Sequence, residues 1–182
     1  MNYFLFLYPV SPIIDFEIKM HNYSKRRYKK ILNECIDNRY RQKGFKIIYI
    51  VFDDINVSDV IKLRPEDKIL KAGISYKDNM EGKYPNWNFI LQQLKDISTI
   101  RTIRLAGFHM WDCVERFAQY IHEKDLDVLV DEDLTESFIP RIQDPLFRID
   151  QYPSYQPAKS EEFIFSLFMK ARQNKPWLWQ KY

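Results

Sequence analysis

Two periods of hydrophobic patterning alternate along the chain, and the switches between them outline a series of strands and helices. Tyr3-Phe4-Leu5-Phe6-Leu7 is a short continuous apolar run, the pattern of a strand covered on both faces. Pro9 and Pro12 are expected to stop it. From about Ser24 to Arg41 the apolar positions Tyr28, Ile31, Leu32, Cys35, Ile36 and Tyr40 follow helical spacing, with Gly44 as the stop. Phe45 to Phe52 (FKIIYIVF), rich in β-branched and aromatic residues, is the strongest strand pattern and ends at Asp53-Asp54. A third short strand is expected near Lys68–Ile74, and Asn79–Pro85 reads as a loop. Trp87, Ile90, Leu91, Leu94 and Ile97 then share one helical face. Thr102–Ala106 forms a fourth strand and Gly107 a turn. Cys113, Val114, Phe117, Ala118 and Ile121 make the buried stripe of another helix. Val128-Leu129-Val130 is a fifth strand, closed by Asp131-Glu132-Asp133. After the proline-rich stretch Pro140–Pro157, a last helix is expected over roughly Glu161–Gln173.

Strands that alternate with helices of crossover length predict a Rossmann-like, three-layer α/β/α sandwich with a mostly parallel sheet. At 182 residues the chain suits one domain, 1–182, with a C-terminal extension from about 138 to 182. Ligands of such folds bind outside the carboxyl ends of the strands. That rule selects Tyr8–Val10, Asp53-Asp54, Lys71–Ser75, Gly107–Cys113 and Asp131–Asp133 as site segments.

Composition narrows the function classes. Hydrophobic residues make up 46% of the chain and aromatics 16%, enough for a packed core. No apolar run approaches the roughly 18–20 residues that cross a bilayer, so no membrane partner is expected. Residues 3–10 read as a buried first strand rather than a signal peptide. Two cysteines far apart, Cys35 and Cys113, give neither a disulfide framework nor a metal-knuckle spacing. A reducing, cytoplasmic setting follows. Net charge is only +3. The basic run Lys25-Arg26-Arg27-Tyr28-Lys29-Lys30, continuing to Arg39, Arg41 and Lys43, reads mainly as a solvated helix face. The acidic run Asp125–Glu136 argues further against nucleic acid as a partner. The apolar tail Trp177-Leu178-Trp179 is expected to dock on this domain or on a partner subunit in a homo-oligomer, the second being preferred.

Cys113 carries the strongest candidate chemistry. In the first turn of its helix, a thiol faces the positive end of the helix dipole and unpaired backbone N–H groups, which favour thiolate. The same N–H groups can receive an oxyanion once sulfur attacks a carbonyl carbon. The plain alternative is a small buried hydrophobe at a helix start. His109 in the same turn is a candidate base, or else a residue that caps backbone groups.

The stretch Leu105–Asp133 (LAGFHMWDCVERFAQYIHEKDLDVLVDED) resembles the active-site segment of the isochorismatase-like cysteine hydrolases, which include nicotinamidases. Gly107 after a strand, Cys113 six residues later, Val114 next and Ala118 five beyond the cysteine match that family's pattern. Val128, Val130 and Asp133 fall in step with its valine-rich strand ending in aspartate. Met110 stands where the family has threonine, and Asp125 where it has glycine. The resemblance implies an isochorismatase-like fold, with Cys113 as nucleophile and Lys71 as catalytic lysine. It places the family's aspartate base at Tyr8, a poor base with an ordinary pKa of about 10. Asp15 reaches the site only if the loop after Pro9 folds back. Asp53 or Asp54 matches the metal-binding members in place, but no histidine lies nearby, so neither metal nor other cofactor is expected.

Two functions follow. The first is a hydrolase of a small amide or related carbonyl substrate. In it Cys113, Lys71 and His109 act as catalytic residues, Tyr8, Asp53, Gly107, Met110 and Trp111 contact substrate, and N–H groups around Met110–Cys113 form the oxyanion hole. The second is an inactive relative kept as a binding or regulatory module. A carboxylate beside the Cys113 sulfur favours the enzyme, and Tyr8 alone favours the relative.

Overall fold

The computed structural model describes residues 1–97, 99–153 and 162–180. Five parallel strands, β1 (Asn2–Leu7), β2 (Lys46–Val51), β3 (Lys68–Lys71), β4 (Thr102–Gly107) and β5 (Asp127–Val130), form one sheet in the order β3-β2-β1-β4-β5. All five lie where the hydrophobic pattern puts them. The central strand β1 is buried along Tyr3–Leu7, as a strand covered on both faces must be. It pairs Leu5 with Ile48 on one side and with Leu105 on the other.

The helices are α1 (Ser11–Met20), α2 (Lys25–Arg39), α3 (Tyr76–Met80), α4 (Trp87–Ile97), α5 (Glu115–His122), α6 (Phe138–Gln143) and α7 (Glu162–Arg172). A single wide π turn, Met110–Val114, leads directly into α5. Right-handed crossovers place α1 and α2 on one face of this sheet and α4 and α5 on the other. α4 packs beside α5, and α6 approaches α2 through the edge-on rings of Tyr28 and Phe138. Layers of α, β and α result.

Three segments depart from the sequence expectations. Pro12 does not close the first strand region but opens α1, standing in the helix's first turn where a missing N–H costs nothing. Part of the expected loop 79–85 belongs to α3, which Ser75 caps by accepting from the Asp78 N–H. The tail, for which a subunit contact is the preferred expectation, packs on its own chain: Trp177 and Leu178 are buried, and the Trp177 carbonyl accepts from the Val130 N–H at 2.8 Å.

The acidic run does more than offset the basic charge. Asp131 and Asp133 are buried on Arg39, whose Nη1 lies 3.0 Å from Asp131 Oδ2 and 3.0 Å from Asp133 Oδ2. Tyr40 donates to the same Asp131 oxygen, and the carbonyls of Arg148 and Ile149 accept from the rest of the guanidinium. Glu132 pairs with Arg172 and accepts from Tyr152. The chain after β5 is thus fastened to α2 and to the C-terminal segment. Much of the basic run is neutralised in the same way: Lys25 contacts Asp15 and Asp59, and Arg41 contacts Asp37 and Asp67. Among the described residues no helix is long and apolar enough to cross a membrane.

Candidate functional site

From β1 the chain runs out toward β2, and from β4 it runs out toward β5. The crevice between the carboxyl ends of β1 and β4 is therefore the switch point of this sheet, the place where ligands of such folds bind. Two residues stand there in the same unusual backbone state. Tyr8, directly after β1, has φ +58°, and His109, two residues after β4, has φ +62°. Side chains at positive φ are strained, and such strain concentrates at functional sites. The two rings meet at a tilt of 59°, with centroids 6.0 Å apart.

Gly107 makes this approach feasible. Its φ is +127°, and a Cβ there would fall within 3 Å of three backbone atoms of Leu7. Its role is to let β4 pass β1, which accounts for the glycine in the motif.

Cys113 lies in the π turn, as the sequence suggests, but its surroundings are not those of an activated thiol. The residue is 1% exposed. Its sulfur receives Asn79 Nδ2 at 3.6 Å and lies against the Tyr8 phenol. Burial pushes the thiol pKa up. The Asn79 and Tyr8 contacts pull it back in part, and the nearby Asp112 carboxylate adds to the rise. The Tyr8 phenol is raised far above its ordinary range, first by burial and then by Cys113. Among the described residues no carboxylate or ammonium stands within hydrogen-bond reach of the sulfur.

Lys71 and Asp53 are not brought to Cys113. Lys71 Nζ donates to the carbonyls of Phe52 and Ile55 at 3.1 and 3.3 Å. Asp53 Oδ1 accepts from the Gly73 N–H at 2.9 Å, and Asp54 Oδ1 from that of Tyr76 at 2.8 Å. Both aspartates are therefore engaged in shaping the loop after β3. Asp15, carried on α1, points to Lys25. No three His, Cys, Asp or Glu side chains converge as a metal set among the described residues, so the site has no donor set for a metal ion.

Sequence reasoning missed Glu136. Its carboxylate crosses from the start of α6 to the opening of the π turn and accepts from the N–H of His109 and, at 3.2 Å, from that of Met110. The Met110 N–H, one of those expected to hold an oxyanion, is thus occupied by the protein's own carboxylate. A negative charge at this end of a helix is stabilising. Only the position of Glu136 at the end of an acidic run hinted at it, and that run speaks only against a polyanion as partner. Asn79 was missed for a similar reason, since it stands in a stretch that reads as loop.

Two cavities open beside these residues. One, of about 360 Å³, is lined by His109, Met110, Trp111, Asp112, Glu136 and Ser137. Trp111 is exposed at its rim, with Lys175 Nζ over the ring. The other, of about 350 Å³, lies against α1 and α3 and shares His109 and Glu136 with the first. His109 and Glu136 therefore stand between both, whereas Cys113 lines neither.

No protein-family model matches the chain, and no curated protein matches it. Among solved structures it is similar to an amidase. N-carbamoylsarcosine amidase from Thermoplasma acidophilum has 16% sequence identity and a TM-score of 0.47 over 74% of this chain and 83% of that one. The strand order and register, rather than this likeness, define the fold.

Proposed function

We propose that this protein is a small-molecule-binding module whose ligand lies in the groove over His109 and Glu136, and that Cys113 is part of its packing. One observation carries the reading: the Cys113 sulfur is enclosed by Tyr8 and Asn79 and lacks a base. A phenol whose ionisation burial opposes cannot accept the thiol proton at neutral pH. The groove, by contrast, has open cavities of the size that small ligands fill. It also has a strained histidine whose ring has no hydrogen-bond partner among the described residues.

The test is a fragment library observed by ligand NMR against wild type, Cys113→Ala and His109→Ala. Fragments should bind wild type and Cys113→Ala alike and lose affinity for His109→Ala. Loss in Cys113→Ala with retention in His109→Ala reverses the assignment.

A second reading, hydrolysis of a small amide through Cys113, is favoured by one observation. Asn79 Nδ2 is directed at a sulfur in the first turn of a helix, which helps a thiolate. Its measure is ammonia release from a panel of small amides; turnover abolished by Cys113→Ala establishes the enzyme.

A further inference from the structure

The cavity against α1 and α3 has a definite chemical character. Its walls are Pro12, Ile13, Phe16, Tyr76 and Met80, and its ionisable lining consists of Glu17, His109 and Glu136. Phe16 and Met80 are each 57% exposed, so two large apolar side chains stand in water at the mouth. Singly such residues are ordinary; flanking a cavity, they mark a surface that an apolar body covers.

The charge inside is one-sided. Glu17 comes from α1 and Glu136 from the approach to α6, and their carboxylates repel each other. Beneath them Tyr28, buried on α2, feels both negative charges. Among the described residues no ammonium or guanidinium lines the cavity. His21 Nε2 stands 3.8 Å from Glu17 Oε2, beyond hydrogen-bond range. Lys77 on α3 lies along Glu81 instead. The Glu136 carboxylate already accepts backbone N–H groups on one side, so among the described residues the lining offers an incoming group two carboxylates beside the His109 imidazole, with His21 offsetting part of the Glu17 charge from outside the lining. The aromatic faces of Phe16 and Tyr76 add attraction for a cation.

We propose that this cavity binds a small protonated amine carrying an apolar body, its nitrogen set between Glu17 and Glu136 and its body against Phe16, Tyr76 and Met80. The proposal rests on the small-molecule reading above and adds the class of ligand. An ammonium there donates to both carboxylates and removes their mutual repulsion, whereas a ligand carboxylate meets two like charges.

Three probes of one shape separate the terms: phenethylamine, 2-phenylethanol and phenylacetate, titrated into the full chain at pH 7 and followed by calorimetry and ligand NMR. The amine should bind tightest and the carboxylate weakest. Glu17→Gln should weaken the amine about tenfold, the worth of one hydrogen bond to a charged group, and leave the alcohol unchanged. Phe16→Ala should weaken both. Should Glu17→Gln fail to fold, the ratio of amine to alcohol affinity on wild type decides by itself. An amine no tighter than the alcohol overturns the ligand class while leaving a small-molecule groove. Binding of none of the three overturns this proposal, and the fragment screen with His109→Ala then judges the broader reading independently.

Discussion

The Tyr8 hydroxyl lies fully buried against the Cys113 sulfur, a weak acceptor, and makes no other hydrogen bond among the described residues. A buried polar group left without a good partner costs free energy, so its removal at constant shape is neutral or favourable. Tyr8→Phe should therefore leave stability unchanged or raise it by up to about 1 kcal/mol, measured by urea unfolding. A loss beyond about 1.5 kcal/mol would mean that the hydroxyl is held by a strong bond.

Both thiols should resist alkylation in the native state. Burial pushes Cys35 up to about 12 and raises Cys113 as well. In a Cys35→Ser background, the iodoacetamide profile of Cys113 should rise above the ordinary thiol midpoint of about 8.5. A midpoint below that value would restore an activated nucleophile to the site.

Stability should fall on the alkaline side. Cys35, Cys113, Tyr8, Tyr28 and Tyr49 all have pKa values raised by burial in the folded chain. Below the unfolded values, about 8.5 for thiols and 10 for phenols, both states hold the proton and the stabilisation is complete. Above them the unfolded chain releases protons that the folded chain keeps. Each such group then costs about 1.4 kcal/mol per pH unit. Melting temperature should hold through pH 8 and drop progressively above it; a flat profile to pH 11 would contradict the burial of these groups.

Arg39 is the hub between α2 and the segment after β5. Replacing it by leucine leaves Asp131 buried without its cation and Asp133 with Arg141 in place of two arginines, a loss of about 3–5 kcal/mol. Chemical unfolding at neutral pH measures it directly. Retained stability would place solvent at these carboxylates.

Gly107→Ala should be among the most damaging small substitutions. The added methyl meets the Leu7 backbone, which sits in the central strand and cannot retreat, and the residue keeps its positive φ. About 3 kcal/mol or more should be lost. A soluble variant with an unchanged melting temperature would show that β1 and β4 can separate locally.

β1 and β2 were legible because each is a run of apolar or β-branched residues, the pattern that burial on both faces demands, whereas the exposed edge strand β3 showed only as a short Ile-Leu pair before Gly73. α1 was hidden by Pro12, since the same residue that ends a strand also begins a helix, and only tertiary context tells which. α3 has five residues, too few for a period to show.

The site was legible in place but not in chemistry. The switch-point rule reaches Tyr8 and Gly107–Cys113 from element order alone. It says nothing of where a long side chain turns, and so could not put Lys71 on the carbonyls of Phe52 and Ile55 or Glu136 on the N–H of Met110. Nor does a run of acids announce that Arg39, some ninety residues earlier, will meet it in the interior.

The place of β1 between β2 and β4 has a consequence for the chain as it is being made. When the ribosome has delivered β1, β2 and β3, half of the sheet can assemble, but the β1 edge that pairs with Thr102–Gly107 is still bare. At ~5–20 residues per second the wait for β4 lasts on the order of seconds. During that time a row of unpaired backbone groups, flanked by Phe4 and Phe6, is open to any passing strand. Translation speed between residues 71 and 102 is therefore a determinant of how much of this protein reaches its native state.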